Sequence, residues 1–238
     1  MMIDASELDF RTLNERIREH EVCEVSNCLG QRFIASGMSD KKITLDGIPG
    51  NALGAYLAGA EITVHGNAQD AVGDTMNEGK IIVHGNIGDA VGYAMRGGKI
   101  FVRGNAGYRV GIHMKEYKEK KPAIIIGGRC GSFLGEYQAG GILAVLGLEN
   151  EGEPIVGNFP CTGMHGGKLY LRGTADGIVF PKNVTPREAT ADDMAEISPM
   201  IEEFCSLFGY DVNEILKEKF TVVVPDSKNP YKQMYVAN

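Results

Sequence analysis

Between residues 43 and 173 the chain alternates apolar and polar positions in seven short bursts: ITLDG, ITVHG, IIVHG, IFVRG, IIIGG, LAVLG and LYLRG, beginning at 43, 62, 81, 100, 124, 143 and 169. Alternation of this kind puts every second side chain on one face of a strand. Ile43/Leu45, Ile62/Val64, Ile81/Val83, Ile100/Val102, Ile124/Ile126, Leu143/Val145 and Leu169/Leu171 therefore share an inner face, and the residues between them point outward. Each burst closes on a glycine (47, 66, 85, 104, 128, 147 or 173), where a sharp turn at positive φ is expected. A second apolar column follows at Leu57, Met76, Met95 and Met114.

The bursts belong to a longer repeat. Residues 68–86 and 87–105 agree at 11 of 19 positions, and a GxxGxxxG pattern recurs at Gly47/Gly50/Gly54, Gly85/Gly88/Gly92, Gly104/Gly107/Gly111 and Gly128/Gly131/Gly135. The corresponding place after Gly66 keeps Gly73 but has Gln69 in the middle. All fourteen glycines are read as structural turn residues. A nineteen-residue unit with short strands, sharp turns and no helical period predicts a mainly β protein, a parallel β-helix of about seven coils. Coils ~4.8 Å apart give a rod of about 29 Å.

The flanks read differently. SELDFRTLNERIREH has Ser6 as helix cap and Phe10, Leu13 and Ile17 at helical spacing, which predicts a capping helix within residues 1–20. The β-helix then occupies 21–182. Residues 183–238 form a helical tail packing on it: Thr190 caps a stripe of Met194, Ile197, Ile201 and Phe204, Gly209 stops it, and DVNEILKEKF supplies a short third helix.

Composition narrows the chemistry. The chain has 238 residues, 32 of them glycine, and a formal charge of −7, which argues against broad nucleic-acid or anionic-membrane binding. The basic run 115–121 is broken by Glu116 and Glu119 and reads as a solvated loop. The start, MMIDASELDF, is acidic with no apolar signal region, and no apolar run reaches the ~20 residues of a membrane span, so a cytoplasmic location is expected. Five cysteines (23, 28, 130, 161, 205) without a CxxC pair disfavour a disulfide framework or zinc knuckle and read as reduced packing thiols.

Several features invite a functional reading. No GxGxxG or GxxxxGK[ST] string occurs, because Gly79-Lys80 and Gly98-Lys99 are each followed by isoleucine, so the glycines do not form a phosphate cradle of either known spacing. His65 and His84 share an outward column with Arg103 and Arg172, a solvent-facing ladder without a carboxylate or thiol to complete a metal site. Asn67, Asn86 and Asn105 are turn residues able to hydrogen-bond from coil to coil. TGMHGG (162–167) sets His165 near Cys161; Met164 and His165 are assigned to a tight entry into the last coil, with interface or channel lining as the alternative. The carboxylates of ADDMAE and IEEF read as a solvated helix face.

The glycine series, SNCLGQRF (26–33), GMHGGKLYLRG (163–173) and the ending FTVVVP (220–225) together resemble the C-terminal GXGXG domain of glutamate synthase over nearly the whole chain. The departures are Gln69, a five-residue expansion near KEYKEKKP, and no GxxGxxxG after Gly147. The resemblance implies a right-handed β-helix without catalytic residues, cofactor or metal of its own. It further implies a subunit of a split glutamate synthase that positions glutaminase and synthase partners, with FMN and an iron-sulfur cluster in those partners. The residues agree: Met2 follows Met1 where a processed nucleophilic cysteine would stand, and no cysteine triplet is clustered. Two alternatives stay open, the glycine-repeat β-helical subunit of a formylmethanofuran dehydrogenase-type complex and a free-standing carbohydrate-acting β-helix. The sequence also leaves self-association and the electron donor open.

Overall fold

A computed structural model describes residues 1–148, 152 and 154–226. Strands β1 (Met2–Asp4), β2 (Val22–Leu29), β3 (Lys42–Ile48), β4 (Ala58–Val64), β5 (Glu78–Val83), β6 (Lys99–Val102), β7 (Ala123–Ile126), β8 (Ala139–Val145) and β9 (Gly166–Arg172) are parallel neighbours in chain order. Ile43 pairs with Ile62, Ile62 with Ile81 and Ile81 with Ile100, so one sequence repeat is one coil. A second wall is drawn together by single bridges from Ala68 through Ile87, Ala106 and Cys130 to Val156. The result is a parallel β-solenoid of about eight turns.

The inner face is as the alternation requires: none of its fourteen residues is more than 1% exposed, and Leu57, Met76, Met95 and Met114 are buried beside them. The additional turn is β2, which carries Cys23 and Val25 inward and breaks register between Val25 and Cys28. The expansion near KEYKEKKP projects from the stack as a small turn closed by a bridge between Tyr117 and Lys120.

The outer face departs from its expected exposure. Helix α2 (Ala191–Phe208) lays Ile197, Ile201 and Phe204 on Phe101, Ile125 and Tyr170, the outward residues of β6, β7 and β9, and all six are buried. A Cβ on Gly127 would stand 2.7 Å from Phe204 Cζ, so glycine there admits the ring. Asp192 and Glu202 are exposed as expected, but the other three carboxylates of α2 are not solvated. Glu203 is held by Lys80 and Lys99, each at 2.5 Å, and Glu196 by Lys121 and by Lys168 at 2.8 Å. Asp193 is held by Lys168 at 2.7 Å and Arg187 at 2.6 Å. Asp193 also closes a capping box with Thr190. Burial would raise the Glu196 carboxyl, but hydrogen bonds from Lys121, Lys168 and Tyr170 outweigh it and hold it down at about 2.

Both ends are covered, with two differences from expectation. Helix α1 (Phe10–Arg18) is capped by Asp9, which accepts from Arg11 N and Thr12 N, and not by Ser6. Asn14 fastens it to the first coil: its Nδ2 donates to Phe33 O at 3.1 Å, and its Oδ1 accepts from Ala35 N at 2.8 Å. At the other end the tail is partly strand. β11 (Phe220–Pro225) pairs antiparallel with β9, β10 (Val184–Glu188) pairs antiparallel with β11, and α3 (Val212–Leu216) sits between α2 and β11 in sequence. The β10 edge carries Pro186, Arg187 and Glu188, a proline and two charges that oppose pairing with another chain.

Candidate functional site

The glycines of the repeat are required for two distinct reasons, and only one of them was expected. Gly66, Gly85, Gly104 and Gly128 do not have positive φ, and neither do Gly50, Gly88, Gly107 and Gly131. These corners need glycine because the preceding coil is too close: a Cβ on Gly85 would meet Gly66 O at 2.7 Å as well as the Asn67 carboxamide. That carboxamide occupies the space because Asn67 Oδ1 accepts from Asn86 N, Asn86 Oδ1 from Asn105 N, and Asn105 Oδ1 from Arg129 N, each at 2.8 Å. The coil-to-coil role of the three asparagines is thus observed, without left-handed backbone. A second ladder that the sequence reading missed runs beside it: Asp70 Oδ1 accepts from Asp89 N, and Asp89 Oδ1 from Tyr108 N, both at 2.8 Å.

Positive φ belongs to the third glycine of each motif and, as expected, to the closing glycines Gly47, Gly147 and Gly173 at 111, 57 and 96°. Gly54, Gly73, Gly92, Gly111 and Gly135 have φ between 64 and 71°. Residues two before and two after share this conformation, as at Ala90 (56°), Gly92 (65°) and Ala94 (50°). Left-handed alanine costs ~1–2 kcal/mol, and the arm holds it with hydrogen bonds in both directions. Ala90 and Ala94 donate to Tyr108 O and Ile112 O of the following coil, while Gly92 donates to Val72 O of the preceding one. The missing motif after Gly147 is also explained. The bridged wall resumes at Val156, Gly157 takes the middle place, and Cys161, at φ 59°, takes the third.

Met164 and His165 separate in the structure. Met164 is buried in the solenoid core, which removes it from any exposed lining. His165 lines an open cleft of about 370 Å³ with Glu116, Lys121, Lys168 and the backbone of Gly140 and Gly141. Its Nδ1 lies 3.0 Å from Gly163 O, so Nδ1 donates. Lys121 and Lys168 are already paired with Glu196, and Glu116 accepts from Gly141 N at 3.0 Å. The cleft is therefore a seam between α2 and the coils whose charges are spent internally. Cys161 is no partner for His165: it is fully buried, and burial pushes its thiol up to about 12.

The histidine column does a different task from a solvent ladder. His65 is exposed and lies tilted at 5.3 Å from His84, but His84 is half-buried against Phe208 at 5.1 Å. Burial, then His65 and Arg103, hold His84 below the usual imidazole range. Among the described residues no group of three or more His, Cys, Asp or Glu is placed to hold a metal ion, and no helix is long and apolar enough to cross a membrane.

Fold and corners together define a parallel β-solenoid whose repeated glycines serve coil-to-coil contact. The chain matches the GXGXG motif family over residues 13–226 and belongs to it, the family of the glutamate synthase C-terminal domain. It is 44% identical over 252 aligned positions to an uncharacterized protein, MJ1350, of Methanocaldococcus jannaschii, covering 99% of this chain and 96% of the relative. Among solved structures it is similar to a chain of the formyltransferase/hydrolase complex (FhcABCD) from Methylorubrum extorquens, in complex with methylofuran. The TM-score is 0.66 at 19% identity, covering 85% of this chain and 72% of that one, a likeness of fold.

Proposed function

We propose that this chain is the architectural subunit of a split glutamate synthase, joining a glutaminase chain to a flavin-containing synthase chain that together convert glutamine and 2-oxoglutarate to glutamate. FMN and the iron-sulfur cluster belong, on this reading, to the partners. The observation that carries it is family membership across residues 13–226 combined with glycine corners that are filled by neighbouring coils. Stacked coils tied by two side-chain ladders suit a framework, because ammonia made at one site and used at another requires a fixed separation between them. The test is to mix the purified chain with candidate glutaminase and synthase chains and follow complex formation by size-exclusion chromatography with light scattering. A stable ternary complex is expected; no association at low salt would reject the reading.

The fold likeness to a chain of a multisubunit formyl-transferring complex favours a second reading, a β-helical subunit of a formylmethanofuran dehydrogenase-type assembly. Copurification with molybdopterin-type subunits in place of the glutaminase would select it.

A further inference from the structure

The left-handed arms of successive coils form one face, and it is unusual in composition. Tyr56, Tyr93, Tyr108, Tyr137 and Phe159 stand on this face or its corner at 57, 41, 51, 39 and 60% exposure. They are ordered, not loose. His113 stacks on Tyr137 at 5.1 Å and meets Tyr93 edge-on at 5.9 Å, and Arg109 lies 4.9 Å over Phe133, which packs on Phe159 at 5.3 Å. Gly163 occupies the next place in the Tyr137 column, and the Tyr137 ring fills the space its Cβ would need. Exposed rigid aromatics with an arginine are the composition of interface anchors, since they present large area at little entropic cost.

Charge distinguishes the two ends of this face. Between Phe33 in the first arm and Arg109 in the fifth, the leading left-handed residue of each arm is small, Ala52, Ala71 and Ala90, with Asp70, Asp74 and Asp89 beside them. Among the described residues none of these three carboxylates is in an ion pair, whereas Arg109 is matched by Glu136 at 3.0 Å. We propose that the arm face is a docking surface for a different folded protein, one that sets apolar side chains against the aromatic columns and basic side chains against the Asp70/Asp89 corner. A second copy fits poorly. Seven arms ~4.8 Å apart and about 15 Å wide give ~440 Å² per face, so two rods face to face cover roughly 900 Å², short of the ~1,200–2,000 Å² of a specific interface. A broader partner also covers the acidic corner.

The inference rests on the subunit reading, and its test separates the two. The variant Tyr93→Ser/Tyr108→Ser changes exposed side chains outside the left-handed positions, and Asp70→Asn/Asp89→Asn removes two charges while keeping each Oδ1 acceptor of the ladder. Each is compared with the native chain for binding to the purified glutaminase and synthase chains, with melting temperature as the folding control. Expected is a tenfold or greater loss of affinity for one partner in the tyrosine variant. The aspartate variant should lose affinity severalfold at low salt, with a flatter salt dependence, both variants melting as the native chain does. Undiminished binding by folded variants overturns the docking face and leaves the subunit reading intact. Failure of the native chain to bind either partner overturns both. Concentration-dependent dimerisation of the isolated chain that disappears in the tyrosine variant would show that a second copy occupies the face.

Discussion

Gly73 offers a quantitative test of the coil stacking. Its φ is +70°, and a Cβ there would lie 2.5 Å from Ile100 Cδ1, with the next atoms, Ile100 Cγ1 and Ile81 Cδ1, at 3.5 and 3.6 Å. Gly73→Ala therefore meets two costs: ~1–2 kcal/mol for left-handed alanine, reduced by the lower entropy of the unfolded chain, and ~1–3 kcal/mol for overpacking against one methyl group. The sum is about 2–4 kcal/mol. Ile100→Val removes that methyl and alone costs ~0.5–1.5 kcal/mol. In the double variant the new Cβ has only ordinary contacts at 3.5 Å and beyond, so the destabilisation should fall to about 1–2 kcal/mol. Urea denaturation followed by circular dichroism and tyrosine fluorescence measures all four corners of the cycle. A compensating coupling of about 1–3 kcal/mol is expected; additivity within ~0.5 kcal/mol would mean that Gly73 and Ile100 do not face each other across the coil.

Three further expectations follow from the same geometry. Val83→Asp puts a charge in the solenoid interior and should cost more than ~4 kcal/mol, while His65→Ala, on the exposed side, should stay within ~1 kcal/mol; equal losses in melting temperature would reverse the inner and outer assignments. Asp193 and Glu196 are held below their unfolded values of ~3.9 and ~4.3, so their stabilisation of α2 is complete above about pH 5 and is lost as pH falls toward 2. An acid titration of Glu196→Gln should be flatter than that of the native chain across this range, and parallel curves would contradict the ion network. Cys161, with its thiol at about 12, should resist a thiol reagent at pH 8 in the native protein and react on unfolding; rapid native labelling would show that the last coil is open.

The inner columns were legible in the sequence because burial on one side of a strand leaves a strict alternation, and fourteen positions obeyed it. β2 was missed for a physical reason: Cys23 stands where the other rungs have isoleucine or leucine, and a register shift at Val25/Cys28 disturbs the spacing. The cover of α2 left a readable trace. Outward Phe101, Ile125 and Tyr170 are apolar where Thr44 and Thr63, nearer the N-terminus, are not. Treating outward parity as solvent concealed this. The reason for each corner glycine was not legible, since close approach of Gly66 to Gly85 and left-handed backbone at Gly92 both select the same residue. Alternating left-handed alanines at 71, 90 and 94 violate local preference and arise from hydrogen bonds to the coils on either side. His165 and Cys161 are only four residues apart in the sequence, but coil packing gives one to a surface cleft and the other to the core.

The proposal that the chain organises catalysis without performing it is met most directly by reconstitution. Glutamine-dependent glutamate formation should be weak in a mixture of purified glutaminase and synthase chains, rise when the native chain is added, and rise equally with His165→Gln, whose imidazole is the one this structure places in the cleft. Full activity without the chain, or an assembled complex inactivated by His165→Gln, would contradict the account.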